Sequence, residues 1–154
     1  MFLDKLDKTI LRQLQDDASM SNLALSHLVG LSPPACLKRV KRLEREGVIS
    51  ARVALLNPQK LGPCLHMIIE VRMERDRAEL NRHFIKLVKN AKEVKECYKV
   101  TGEVDFVLVV TVSDMQAYEE FCQRVIYSDA NMKNFRTLIS INRTKYITSV
   151  LIED

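Results

Sequence analysis

The spacing of apolar residues changes near residue 50, and this change constrains the fold more than any other feature of the sequence. Before it, apolar side chains recur at helical spacing, as in Ile10, Leu11 and Leu14. After it, the run "CLHMIIEVRME" (64–74) places apolar side chains at alternate positions, which predicts a half-buried strand. The stretch between them contains Asn-Pro and Gly-Pro pairs, which are typical of a linker. The sequence therefore predicts a helical domain (1–50), a linker (51–63) and a second domain (64–154).

The first domain is predicted to contain three short helices. Asp4 and Ser21 are good N-cap residues for the first two. The third helix is predicted to begin at Ser32-Pro33-Pro34, because proline is tolerated in a first turn whose N–H groups lack intrahelical partners. Gly47 is a natural residue for its end. The predicted core-facing residues are Leu25 and Leu28 on the second helix and Leu37, Val40 and Leu43 on the third.

The second domain alternates strands and helices in the order βαββαβ, which is the ferredoxin-like arrangement. Capping boxes at Asp76–Glu79 and Ser113–Gln116 are predicted to start its helices, and residues 135–152 are expected to form one long strand or two short ones. The strand "FVLVVTV" (106–112) is apolar on both faces, although two helices can cover only one face of the sheet. A second copy of the sheet is the expected cover, so the sequence predicts a homodimer.

The third helix carries five Lys and Arg residues within positions 38–45, which favours DNA binding. A helix, a turn containing Gly30 and a basic helix follow the order of a helix-turn-helix, whose second helix reaches base edges with its N-terminal residues. Amides that open the preceding helix could hold a phosphate. The alternative is a solvated charged face, because Glu44 and Glu46 make the helix end mixed in sign. The predicted DNA-binding residues are Ser21, Asn22, Ser32, Pro34, Ala35, Lys38, Arg39, Arg42 and Arg45.

Nearly the whole chain resembles the Lrp/AsnC (leucine-responsive, or feast/famine) transcriptional regulators. The motifs that carry the resemblance are D-x-x-I-L-x-x-L-Q (7–15), V-G-L-S (29–32), S-P-x-x-C (32–36), R-V-x-R-L-E-x-x-G-x-I (39–49), the hinge-like "ALLNPQKLG" (54–62) and "TGEVDFVLVVTVSDMQAYEEF" (101–121). The resemblance implies an α+β protein with an N-terminal winged-helix-like helix-turn-helix domain and a C-terminal ferredoxin-like regulatory domain. One position departs from the family. Ser19 stands where the A-R-x-S-N pattern has an arginine that would supply a phosphate contact or a salt bridge.

The resemblance also implies an effector site for a small amino acid at an interface between dimers. Gly102 and Asp105 in "VTGEVD" match the family's effector motif. Glycine lets a carboxylate approach exposed backbone N–H groups, and an aspartate can pair with an α-ammonium group. The alternatives are a glycine that only serves a hairpin turn and a solvated acid at a strand end. Further effector positions matched by the family are Thr137 as a hydrogen-bond donor, with Ile139 and Tyr127 as apolar walls, although these residues could simply be core.

Apolar residues at 138–141 favour an effector with an aliphatic or thioether side chain, such as leucine or methionine. The expected partners are double-stranded DNA, a free amino acid and further copies of the chain, with dimers assembling to a tetramer or octamer. No cofactor or metal is expected. The predicted function is a sequence-specific transcriptional regulator whose assembly and DNA binding respond to the amino acid. The alternative is an architectural DNA-binding protein without an effector.

The remaining features argue against other classes of protein. The four cysteines are widely separated and the three histidines form no ligand motif, so neither a zinc module nor a catalytic site is predicted. A net charge of +4 by itself says little about DNA. No apolar run approaches the roughly 18–20 residues of a membrane span, and the N-terminus lacks the apolar core of a signal peptide. A cytoplasmic protein that is not an enzyme is expected.

Overall fold

The computed structural model describes residues 2–153 and divides them into two compact units. The helical unit comprises the chain up to Leu56 together with the tail from Lys145 onward, and the sheet unit comprises Asn57–Thr144. The tail was predicted to belong to the second domain, whereas its contacts lie with the helical unit. Gln15 exchanges two hydrogen bonds with the Val150 backbone, donating to its carbonyl (3.1 Å) and accepting from its N–H (2.6 Å).

The helical unit contains the three predicted helices: α1 (Lys5–Asp16), α2 (Asn22–Leu28) and α3 (Pro33–Arg45). Asp4 caps α1 by accepting a hydrogen bond from the Asp7 N–H (2.8 Å), and Asp7 accepts one from the Asp4 N–H (3.2 Å). Ser21 caps α2 by accepting from the Ala24 N–H (3.2 Å). Both predicted N-caps are therefore confirmed.

The two ends of α3 are set by its prolines at the start and by a glycine after its last turn. Pro33 and Pro34 occupy the first turn after Ser32, which takes the N-cap position without making a side-chain capping bond. At the other end Gly47 adopts φ +73°, a conformation that costs little only for glycine. Its N–H donates to the Glu44 carbonyl (3.0 Å) and the Val48 N–H donates to the Leu43 carbonyl (2.9 Å). This pair of bonds is a Schellman motif.

The core of the helical unit differs from its prediction at two leucines. Val40, Leu43 and Leu25 are buried as expected. Leu28 is 59% exposed and Leu37 is 42% exposed, so the inward orientation predicted for them is wrong. Cys36 is fully buried one position before Leu37, because the inward stripe of α3 runs through positions 36, 40 and 43.

The sheet unit has the predicted βαββαβ order and an antiparallel sheet in the strand order β2-β3-β1-β4. This confirms the ferredoxin-like arrangement. Its elements are β1 (Leu65–Met73), α4 (Ala78–Asn90), β2 (Val94–Lys99), β3 (Phe106–Val112), α5 (Met115–Phe121), a π-helical turn (Cys122–Ile126) and β4 (Met132–Ile139), after a short 3-10 turn at Pro58–Lys60.

One face of the sheet packs against the helices and carries the core of this unit. On that face Met67, Ile69 and Val71 of β1 are fully buried, as are Phe84 of α4 and Phe121 of α5. The opposite face, called here the open face, carries the intervening residues of each strand. The open-face side chains of β3 are half-buried, whereas its helix-facing side chains are buried.

Three details of the sheet unit differ from the predictions. The N-cap of α5 is Asp114, which accepts from the Ala117 N–H (2.8 Å), so the box predicted at Ser113 is displaced by one residue. Asp76 does not cap α4. It accepts hydrogen bonds from Asn81 and Lys99 instead. Strand β4 begins before residue 135 and ends at Ile139, and residues 140–153 form no regular strand.

Candidate DNA-binding and effector sites

Two of the predicted DNA-binding arginines are tied to α1. The carboxylate of Asp7, whose side chain is only 1% exposed, accepts hydrogen bonds from Arg39 (2.8 Å) and Arg42. Arg39 also donates to Asp4 (2.7 Å). The pKa of Asp4 lies below its usual value of 3.8. The hydrogen bond from the Asp7 N–H lowers it most, and the Arg39 guanidinium lowers it further. This carboxylate–arginine network fixes α3 on α1.

Sequence reasoning missed this role of Asp7. The spacing Asp4-x-x-Asp7 was a readable signal for a helix start, because the second acid lies at N3 and can complete a capping box. Nothing in the local sequence shows that two arginines more than thirty residues later bury that acid.

The solvent-facing side of α3 presents a different set of side chains. Lys38, Lys41 and Arg45 are exposed, and their spacing of three and four residues puts them on one stripe. Within residues 2–153 no carboxylate lies within ion-pair distance of Lys38 or Lys41, whereas Arg45 pairs with its neighbour Glu46 (3.0 Å). The exposed Leu37 and Pro34 belong to the same stripe. It is therefore a cationic surface with apolar residues at the leading end of the helix.

The turn between α2 and α3 is held by Asn22, whose side-chain amide donates to the Pro33 carbonyl (2.9 Å). Ser21 uses its hydroxyl to cap α2. Ser32 is exposed and Ala35 half-buried at the leading end of α3. The four residues predicted here thus lie together around the start of α3.

Ser19, which replaces the family's arginine, stabilises the connection between α1 and α2. Its N–H (2.8 Å) and its hydroxyl (2.6 Å) both donate to one carboxylate oxygen of Asp17. The Ser19 hydroxyl and then its backbone N–H lower the pKa of Asp17 below its ordinary value. An Asx turn thus occupies this position.

The predicted effector residues Gly102 and Asp105 lie in the turn between β2 and β3. Gly102 has φ +121° and a Cβ added to it would meet no atom within 4 Å, so the turn conformation requires glycine while the space beside it is open. Asp105 is half-buried, and its Oδ2 accepts a hydrogen bond from the Met73 N–H (2.7 Å). Its own N–H donates to the Val71 carbonyl (2.9 Å). Asp105 therefore also ties the turn to the end of β1.

The other three predicted effector residues form a second group, beside β4. Tyr127 is 59% exposed, and its ring contacts that of Phe135 edge-on with centroids 5.5 Å apart. Thr137 is half-buried, and its hydroxyl lies 2.6 Å from that of Tyr118 on α5. Ile139 is half-exposed at the end of the strand. Sequence reasoning missed Tyr118 as part of this group, because its contact with Thr137 joins a helix to a strand 19 residues later.

Asp105 and Ile139, one residue from each effector group, lie apart within one chain. Phe106, next to Asp105, pairs with Val71 of β1, whereas Ile139 of β4 pairs with Met67. Four residues along β1 correspond to about 13 Å, and β1 itself lies between β3 and β4. A ligand of amino-acid size that touched Asp105 and Ile139 together would therefore need them from different subunits.

In residues 2–153 no three His, Cys, Asp or Glu side chains are grouped as metal ligands would be. No helix in this part of the chain has both the length and the apolar character needed to cross a bilayer.

A helix-turn-helix unit followed by a ferredoxin-like unit defines a two-domain DNA-binding regulator. Residues 3–50 match the winged helix-turn-helix DNA-binding family, and residues 66–150 match the Lrp/AsnC ligand binding domain. The chain belongs to the Lrp/AsnC family of transcriptional regulators. This confirms the family that the motifs indicated, and with it the prediction of a regulator rather than an enzyme.

The chain is similar along nearly its full length to known members. It is 40% identical to an HTH-type transcriptional regulator of Sinorhizobium fredii, covering 99% of this chain and 90% of that protein. It is 36% identical to the leucine-responsive regulatory protein of Escherichia coli K12, covering 98% and 92% respectively. The structure of a transcriptional regulator of Neisseria meningitidis in complex with L-methionine superposes with a TM-score of 0.89 at 32% identity, covering 97% of both chains.

Proposed function

We propose that the protein is a sequence-specific regulator that binds double-stranded DNA through the leading end and solvent-facing side of α3, and that a free amino acid changes its assembly and DNA binding. The observation that carries the DNA part is the cationic stripe of Lys38, Lys41 and Arg45 on a helix that begins in a helix-turn-helix turn. The proposed location is the cytoplasm.

Within the proposed DNA-binding residues we distinguish two roles. Lys38, Arg45 and the added Lys41 neutralise phosphates or reach base edges, because their charges point to solvent. Arg39 and Arg42 act mainly by orienting α3, because Asp7 and Asp4 already hold their guanidinium groups. The residues at the start of the helix and its turn complete the proposed surface: Ser21, Asn22, Ser32, Pro34 and Ala35.

The proposed effector is an amino acid with an aliphatic or thioether side chain, such as leucine or methionine. Two relatives support this class: the regulator from N. meningitidis was solved with L-methionine, and the E. coli relative is named for its leucine response. Asp105 would pair with the α-ammonium group through the carboxylate oxygen that the Met73 N–H leaves free. The Gly102 turn, Thr137, Ile139 and Tyr127 would form the rest of the site from more than one subunit.

The proposed assembly begins with a dimer formed through the open face of the sheet. Ile68 lies at the centre of this open face and is 38% exposed. Its cross-strand partners are Val109 of β3 and Leu138 of β4. Arg136 and Glu70 form an ion pair beside this row (2.6 Å). A central apolar row with polar neighbours is the composition expected of a protein interface. Association of dimers into a tetramer or octamer would then bring the two effector groups of different chains together.

The test is DNA binding measured with and without each of the twenty amino acids. The full-length protein is titrated onto promoter fragments by gel shift, and its mass is followed by light scattering in the same buffers. We expect leucine or methionine to change both the apparent affinity and the distribution of oligomers, because an effector can shift an equilibrium only by binding its states unequally. DNA binding that no amino acid changes would support the architectural alternative and contradict the proposed effector.

A further inference from the structure

A pair of hydroxyl groups connects helix α5 to the edge strand β4. The Tyr118 hydroxyl lies 2.6 Å from the Thr137 hydroxyl, across the packing between α5 and the sheet. Cys122, which is buried, lies one helical turn further along. The Tyr127 N–H donates to the Cys122 carbonyl (2.9 Å) in the i to i+5 bond that makes the turn π-helical. Such single π turns are frequent at functional sites.

The Tyr118 hydroxyl is available as a hydrogen-bond donor. Burial, followed by the neighbouring Cys122, raises the pKa of Tyr118 to about 12, and burial raises the pKa of the Cys122 thiol. Both groups therefore keep their protons at neutral pH. The Tyr118 hydroxyl can therefore donate its proton to the Thr137 oxygen, its hydrogen-bond partner at 2.6 Å. In that arrangement the Thr137 proton is left for another acceptor, and within residues 2–153 the Thr137 hydroxyl makes no other hydrogen bond.

We propose that Tyr118 is a positioning residue of the effector site, which holds the Thr137 side chain so that its hydroxyl donates a hydrogen bond to the carboxylate of a bound amino acid. This inference rests on the proposed amino-acid effector. Thr137 is half-buried, so one side of it remains open to a ligand, and Ile139 continues the same face of β4 beside it. The carboxylate is the acceptor because a free amino acid offers no other strong acceptor when its side chain is aliphatic.

The test compares the affinity of Tyr118→Phe and wild type for amino acids by isothermal titration calorimetry. L-methionine and L-leucine are the probes, and L-methioninamide, which lacks the carboxylate, is the matched ligand. We expect Tyr118→Phe to weaken binding of L-methionine about tenfold, as for a lost hydrogen bond to a charged group, while the already weaker amide changes little. Tyr146→Phe, which removes a tyrosine hydroxyl from the helical unit, serves as the control and should bind like wild type.

A double-mutant cycle separates positioning from general destabilisation. If Tyr118 acts through Thr137, adding Tyr118→Phe to Thr137→Val should weaken L-methionine binding no further, and Thr137→Ser should retain most of the affinity. Thr137→Val keeps Tyr118 intact, so it tests the idea even if Tyr118→Phe folds poorly.

The outcomes are distinct. Wild-type affinity in either Tyr118→Phe or Thr137→Val, or losses that add, would overturn this role and leave the proposed effector standing. A wild-type protein that binds none of the twenty amino acids would overturn the effector class and this inference with it.

Discussion

Asp7 is a single residue that connects helix capping to the placement of the proposed recognition helix. Its backbone N–H is held by Asp4, and its carboxylate, buried from solvent, holds Arg39 and Arg42. A buried carboxylate of this kind must be paired, because an unpaired charge in the interior is costly. Arg39 and Arg42 are therefore compensated by a buried carboxylate, whereas Arg45 pairs only with the exposed Glu46, and DNA would meet mainly Lys38, Lys41 and Arg45.

Replacing Asp7 by alanine should lower the free energy of unfolding by about 3–5 kcal/mol, because it leaves two guanidinium groups without their buried partner. Urea unfolding followed by circular dichroism measures this change. Asp16→Ala removes a similar charge from an exposed position of α1 and should stay within about 0.5 kcal/mol of wild type. Equal effects of the two substitutions would argue against the structural role of Asp7.

Lys41→Ala should weaken DNA binding with little change in stability, because Lys41 is exposed on the proposed DNA-facing stripe. If it contacts one phosphate, the slope of log affinity against log salt concentration should become less steep by about 0.9. Fluorescence anisotropy on a labelled duplex at several salt concentrations measures the slope. Lys86→Ala, on the exposed side of α4 in the sheet unit, is the matched control. An unchanged slope in Lys41→Ala would remove this lysine from the proposed contacts.

At the scale of elements, the sequence predicted the helices and strands well and the partners of their side chains poorly. Helix starts at Asp4 and Ser21 are local, since the capping side chain and the amide it binds are three residues apart. The choice between Cys36 and Leu37 as the inward residue of α3 is not local. It depends on where α1 and α2 lie against the helix, and hydrophobicity alone favoured the leucine.

In the candidate sites, too, local features were predictable from the sequence and contacts between distant residues were not. Motif spacing matched Gly102 to the family's effector motif, with a simple hairpin turn as the alternative, and the structure gives this glycine a positive φ angle in a turn. It could not identify the Asp7–Arg39–Arg42 network or the Tyr118–Thr137 contact, because each joins residues that are distant in sequence. These contacts follow from helix packing, which a single sequence does not display.

The N-cap of α5 should make stability depend on pH. The Ala117 N–H and then the Ser113 hydroxyl hold the pKa of Asp114 below its usual 3.8. Because the folded-state pKa is depressed, this contribution is complete above pH 3.8 and is lost as the pH falls through the folded-state value. We expect the wild-type unfolding free energy to fall as the pH drops below about 4, and Asp114→Asn to flatten part of that fall. Identical pH profiles for the two proteins would contradict the assignment.

At the scale of the whole molecule, the proposed effector site and the open face of the sheet both favour an assembly of several chains. Asp105 and Ile139 lie too far apart on one sheet to hold one amino acid. The row of Val109, Ile68 and Leu138 leaves apolar surface in water on an isolated chain. Dimerisation would bury that surface, and association of dimers would complete the effector site. Sensing and assembly would then be thermodynamically linked.

Ile68→Asp should therefore disrupt the dimer, because it places a charge at the centre of the apolar row, where association would remove it from water. We expect wild-type protein to sediment at a multiple of the 17.7 kDa chain mass and the variant to shift toward a single chain at the same concentration. Lys86→Glu changes charge on α4, on the helix-covered side of the sheet, and should sediment like wild type. If Ile68→Asp kept the wild-type mass while remaining folded, the open face would not be the dimer interface. If it became monomeric and lost its response to the amino acid as well, effector binding would depend on assembly, as a site built from different chains requires.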